Sequence, residues 1–167
     1  NIILAPTTVD IKTKKIVSGG TLINFFTCKM TSAYKKKQEY FADTAPARGV
    51  IFSINVLKHV GFINTKFFRQ GLGDLDFFLR ASCLGYKIIF SKKIILFTEI
   101  ETRAPLHKKK IIEKNFLQRY ILKDSKGTFG YDNIFLKIFL YSLNGPYYLR
   151  FWAFIRVLFF GSIRKII

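Results

Sequence analysis

Hydrophobic and polar positions alternate on two scales along the chain: short apolar blocks broken by glycine, proline and polar turns up to residue 100, then longer stretches at helical period. Residues 2–5 are wholly apolar and closed by Pro6, which predicts a buried strand ending there. A second strand is expected within residues 15–23, around Gly19 and Gly20. Residues 31–40 are polar and carry Lys35, Lys36 and Lys37, a pattern that suits either a solvated loop or a phosphate-binding loop. Residues 41–46 lead into a strand over 48–54, and residues 55–60 read as one or two helical turns ended by Gly61.

The stretch 48–90 organises the rest. Gly71 and Gly73 allow a tight turn, Asp74 is placed to cap a helix, and Leu75, Phe78, Leu79 and the pair Ser82 and Cys83 recur at helical spacing. The helix should begin at Asp74 and stop at Gly85, with residues 86–90 forming a strand. Asp76 and Arg80 stand four apart, acid before base, which favours an ion pair on the helix and leaves Asp74 freer for chemistry. The two carboxylates lie two positions apart, about 200° around a helix, so they would not converge on one metal ion.

Beyond residue 105 the character changes, so the chain divides into a first unit over 1–105 and a basic helical tail over 106–167. Residues 107–126 place Ile111, Ile112, Phe116, Leu117, Tyr120 and Ile121 on one face of an amphipathic helix with a basic outer face. Residues 134–167 are rich in aromatic and aliphatic side chains, but Lys137, Arg150, Arg156, Arg164 and Lys165 interrupt them. No charge-free run reaches the roughly 18–20 residues that span a bilayer. Gly145 and Pro146 should separate two helices. From Tyr147 onward the cations occupy about half of the helical circumference, and Phe151, Trp152, Ile155, Leu158, Phe159, Ile163 and Ile166 the other half. That pattern suits a helix lying in a membrane interface, or one packing its apolar face on a partner.

The formal charge of +18, from 28 basic and 10 acidic residues, points to anionic partners, although a biased genome composition rich in Lys, Ile, Asn and Phe would raise it too. Nucleic acid is disfavoured because the aromatic residues sit in apolar runs suited to a core or a membrane. Cys28 and Cys83 lack metal-ligand spacing, as do His59 and His107, so no zinc site is expected, and the thiols should be reduced, Cys83 on a buried helix face.

The order and spacing of Gly49, Gly61-Phe62, Asp74-Leu75-Asp76-Phe77, Leu79-Arg80-Ala81 and Gly85-Tyr86-Lys87 resemble the C-terminal half of the catalytic domain in inverting family 2 glycosyltransferases of the GT-A fold. The resemblance covers residues 1–100 and is most specific over 48–90. It implies an α/β fold: the acceptor-side portion of a Rossmann-like nucleotide-diphospho-sugar transferase domain with a mixed sheet, followed by amphipathic helices. It further implies hexosyl- or rhamnosyl-type transfer from a nucleotide sugar to a glycan or lipid-linked acceptor, in polysaccharide biosynthesis at the cell envelope. Asp74 is then the candidate general base, and Asp43, Arg48, Gly49, Asp76 and Arg80 candidate substrate-binding residues. The residue-level alternative for Asp43 is a turn carboxylate, and for Arg48 a strand-edge cation.

The same resemblance places the donor-binding half, with the ligands of a divalent cation (Mg or Mn), outside this chain, so the chain is expected to need that half or a complementary chain and to be inactive alone. Location is expected in the cytoplasm, peripheral at the inner face of an anionic membrane. Three positions depart from the family pattern: Ala47 stands where Gly is common before the arginine, Gly73 where Glu is common, and Thr98 where His is common. The alternative from another class is a non-catalytic basic module that binds a membrane surface or a partner.

Overall fold

A computed structural model describes residues 1–33, 39–68, 72–99 and 134–163 of the chain. In chain order these form β1 (Ile2–Asp10), β2 (Ile16–Ser18), β3 (Thr21–Asn24), β4 (Lys29–Ser32), β5 (Glu39–Ala42), β6 (Ile51–Phe52), α1 (Ile54–Val60), α2 (Gly73–Cys83), β7 (Lys87–Thr98), α3 (Ile134–Leu143) and α4 (Tyr147–Ile163). The protein is thus of mixed α/β class. Its main sheet runs β2-β1-β7-β5, with β6 also paired to β1, and β3 and β4 form a separate hairpin. The expected helix at 107–126 and the three lysines at 35–37 lie outside the described residues.

The long pair β1 and β7 is parallel and carries the sheet; β5 is antiparallel to β7, and β2 and β6 are antiparallel to β1. Pro6 does not end the first strand, as its sequence suggested. Pro6 faces Ser91 and Thr7 faces Ile95, so β7 bulges at the residue that cannot donate a ladder hydrogen bond, and pairing resumes through Asp10. Long-range pairing overrides the local stop signal.

Two further expectations change. The strand expected within 15–23 is split at Gly20 into β2 in the main sheet and β3 in the hairpin. There the chain crosses tightly over the sheet: a Cβ on Gly20 would stand 2.3 Å from the Ala42 Cβ and 2.8 Å from the Phe90 ring. The strand expected over 48–54 shrinks to Ile51–Phe52, because Ser53 turns the chain into α1 and its hydroxyl accepts the Asn55 N–H (3.3 Å).

α2 is the central packing element. Phe77, Phe78 and Ala81 join Ile3, Ala5, Tyr40, Val56, Ile88 and Phe90 in the cluster between helices and sheet. Leu75 and Leu79, on another side, pack with Phe68, Leu72 and Leu140. A helix covered on both sides needs apolar residues nearly all round, and the run Leu75, Phe77, Phe78, Leu79, Ala81 supplies them. Gly85 follows with φ +87°, the left-handed stop that its position predicted.

α3 and α4 close the hairpin side. Ile138, Tyr141, Ala153 and Val157 form a third buried cluster with Ile23, Phe25, Cys28 and Met30 of the hairpin. The bend between the helices falls at Gly145, φ +85°, where a Cβ would stand 2.6 Å from the Phe25 ring. Only a glycine provides both that backbone angle and that clearance.

Both described cysteines are free thiols. Cys83 is exposed, not on a buried face as its helical spacing suggested, because the last turn of α2 runs out past the core. Cys28 is half-buried beneath α4, and burial pushes its thiol up to about 11 against the opposing pull of Arg156. At about pH 8, a thiolate-directed alkylating agent should therefore modify Cys83 and spare Cys28 until the chain unfolds, an order that peptide mass spectrometry reads directly. Since the unfolded thiol ionises first, Cys28 should also lower folding stability as pH rises from 9 towards 11.

Candidate functional site

The head of α2 is formed by Leu72, a non-glycine residue at φ +62°, which turns the chain into the helix without a side-chain cap. Asp74 consequently sits inside the first turn and not at the cap position its sequence suggested. One carboxylate oxygen, Oδ1, accepts the Leu75 N–H (2.9 Å), and Oδ2 accepts the Ala47 N–H (3.1 Å). A carboxylate at a helix N-terminus is favoured by the helix dipole. Each oxygen keeps lone-pair capacity, and the half-buried side chain can accept a further proton donor.

Asp76 has a different environment. It is 1 % exposed, and its Oδ2 takes the Arg80 Nε at 3.0 Å in the i,i+4 ion pair that the sequence spacing predicted. Its Oδ1 accepts from Asn144 Nδ2 (2.8 Å), which also donates to the Leu140 carbonyl (2.9 Å). The Arg80 guanidinium donates further to the carbonyls of Val60 and Phe62 (2.8 Å to Phe62). One buried carboxylate therefore joins α2, the end of α1 and the α3–α4 junction. Asp76 and Arg80 spend their polar atoms inside the protein, whereas Asp74 faces the loop 43–49.

That loop is fastened from both ends. Asp43 Oδ2 accepts the Ile23 N–H of the hairpin (2.6 Å), which makes it a turn carboxylate. Thr44, fully buried, bridges to Thr21 and donates its hydroxyl to the Leu75 carbonyl (2.7 Å). The Asp74 bond to Ala47 is the third tie. Arg48 is half-buried in the following turn, and Gly49 is exposed with φ +65°. The structure thus brings Asp74 against the loop that bears Asp43, Arg48 and Gly49, and turns Asp76 and Arg80 to the other side of the helix.

The glycine at 73 also has a packing reason. A Cβ there would lie 2.8 Å from Ile63 Cγ2 and 3.4 Å from Phe68, so the segment 63–68 fills the space a larger side chain would need. Among the described residues, no three His, Cys, Asp or Glu side chains gather as metal ligands do. Asp74 and Asp76 turn to different partners and do not form a chelating pair with each other. Compared with family models, curated proteins and solved structures, the chain matches none.

Three contributors to this region were not read from the sequence: Asn144, Thr44 and the Ala47 N–H. Asn144 lies 68 residues from Asp76, and beside Gly145 and Pro146 it reads only as part of a turn. Its one signal is indirect, since a carboxylate within an apolar helix must find partners.

The asymmetry between the two carboxylates has a measurable consequence. Asp76→Ala should lower the unfolding free energy by about 3–5 kcal/mol, because it strands a partly buried guanidinium. Asp74→Asn should change it by less than about 1 kcal/mol, and denaturant titrations with equal slopes compare the two.

Proposed function

We propose that this chain is the acceptor-side half of an inverting family 2 glycosyltransferase of the GT-A fold, with Asp74 as its general base. The observation that carries the reading is the split between the paired carboxylates. Asp76 is buried and fully engaged, while Asp74, two residues away, heads the helix beside a fastened loop and retains capacity to accept a proton. Inverting transfer needs such a group. An acceptor hydroxyl attacks the anomeric carbon of a nucleotide sugar, its proton passes to the base, and the nucleoside diphosphate departs from the opposite side of that carbon.

In this reading the chain's own residues perform the acceptor-side work. The N–H groups of Ala47 and Leu75 orient the Asp74 carboxylate, Thr44 holds the loop against α2, and Arg48 and Gly49 follow Ala47 directly in that loop. A divalent cation, Mg or Mn, would neutralise the leaving diphosphate, with ligands supplied by a donor-binding half beyond these residues. The acceptor is a glycan or lipid-linked glycan of the cell envelope, and the protein works at the inner face of a membrane. No helix among the described residues is long and apolar enough to cross a membrane; in this reading the attachment is made by the aromatic, basic face of α4.

The exposed aromatic face of α4 favours one other reading, a membrane-surface module without catalysis, which would be indifferent to Asp74. The two readings separate in a polypeptide that joins a donor-binding half to this chain. Asp74→Asn should reduce sugar transfer by about 10²–10⁴-fold with binding of the nucleotide sugar retained. Unchanged turnover removes the aspartate from the base role. The chain by itself should hydrolyse or transfer no nucleotide sugar.

A further inference from the structure

We propose that the tip of the β3–β4 hairpin and the outer face of α4 form one platform that docks on an anionic bilayer surface. The inference builds on the membrane-adhering tail of the reading above and is independent of the transferase chemistry.

Over residues 147–159 every exposed side chain of α4 is apolar or aromatic: Tyr147 is 84 % exposed, Tyr148 80 %, Phe151 72 % and Phe159 60 %, with Phe154 and Leu158 between them. At about 100° per residue, the side chains from Phe154 round to Trp152 cover an arc of about 160°. Arg150 and Arg156 fall just beyond its two edges, while Ala153 and Val157, opposite, are buried against the hairpin. Arg150 and Arg156 therefore rim the two sides of the apolar arc, in the half of the helix that the sequence pattern assigned to cations, with the buried Ala153 and Val157 between them; Arg164, Lys165 and Ile166 lie outside the described residues. Arg150 lies over the Tyr147 ring (4.1 Å) and Arg156 over the Trp152 ring (5.8 Å). Aromatic rings at headgroup depth, with guanidinium groups beside them at phosphate level, are the arrangement a helix takes when it lies in a lipid interface.

The hairpin extends the same surface. Phe26 at its tip is 60 % exposed and stacks on Trp152, centroids 5.7 Å apart, while the Trp152 indole N–H donates to the Phe26 carbonyl (2.8 Å). Two segments 126 residues apart are thereby clamped into one aromatic face.

Charge selects the occupant. Residues 19–33 and 134–163 contain no Asp or Glu, and they carry Lys29, Lys137, Arg150 and Arg156 within a chain of net charge +18. A protein partner would have to be both acidic and extensively apolar to match this face. An anionic bilayer offers both properties at once.

Trp152 is the chain's single tryptophan and lies within the platform, so its fluorescence reports docking without a label. The full chain is titrated with phosphatidylcholine vesicles, with and without about one third phosphatidylglycerol, and binding is read in parallel by co-sedimentation. The anionic vesicles should shift Trp152 emission to the blue, acyl chains brominated near the headgroup should quench it, and salt should weaken the binding. Phe26→Ser with Phe151→Ser should reduce partitioning by about a hundredfold, about tenfold per ring. Phe41→Ser, at an equally exposed phenylalanine on the sheet, should leave it unchanged. The proposal is overturned by an absent shift, by equal binding to neutral vesicles, by indifference to the Phe26 and Phe151 changes, or by self-association through this face in place of vesicle binding. Bromolipid quenching of the unmodified chain decides the matter even if a variant folds poorly. No transfer activity enters the experiment, so its failure would remove the membrane attachment from the reading above and leave the role of Asp74 standing.

Discussion

A single carboxylate buried inside an apolar helix sets the terms for this protein. Asp76 is 1 % exposed in the first turn of α2, between phenylalanine and leucine side chains that face the sheet on one side and α3 on the other. An ionised acid is tolerated there only if its oxygens are paired, because removing a charge from water costs several kcal/mol that partners must offset. Arg80 and Asn144 provide the pairing, from the same helix and from the α3–α4 junction. The requirement to satisfy Asp76 thus fixes where the C-terminal helices sit.

This constraint orders the rest of the architecture. Arg80, held by Asp76, reaches the Val60 and Phe62 carbonyls and closes the connection between α1 and α2. Asn144, held by the same acid, sits immediately before the Gly145 bend, so α4 leaves in a defined direction and lays Ala153 and Val157 on the hairpin. With Asp76 and Arg80 occupied in this way, Asp74 is the carboxylate of the pair that faces the 43–49 loop. In the proposed reading, the element that places the base and the element that meets the membrane are therefore joined through one buried hydrogen-bond network, which would hold Asp74 at a set orientation to the lipid surface.

Features governed by local chemistry were legible in the sequence, and those governed by distant pairing were not. The turn, helix and strand around 72–90 follow from helical spacing and the glycine stop at Gly85, and the Asp76–Arg80 pair follows from a four-residue interval. Likewise Gly145 and Pro146 mark the helix break without reference to the fold. By contrast, β1 runs through Pro6 because β7, more than eighty residues later, absorbs the missing donor in a bulge. Gly20 divides one apolar run between two sheets because the ring of Phe90 leaves no space beside it. Asn144 and Phe26 acquire their roles only through contacts across 68 and 126 residues, which no local pattern encodes.

The most direct test of the central claim, that Asp76 ties α2 to the C-terminal pair, is a double-mutant cycle between Asp76→Asn and Asn144→Ala in the full chain, followed by denaturant unfolding. A coupling free energy of about 1–3 kcal/mol between the two positions is predicted, since both side chains belong to one buried network. Additive effects, within about 0.5 kcal/mol, would contradict it, and the placement of the tail would then have to come from apolar packing alone.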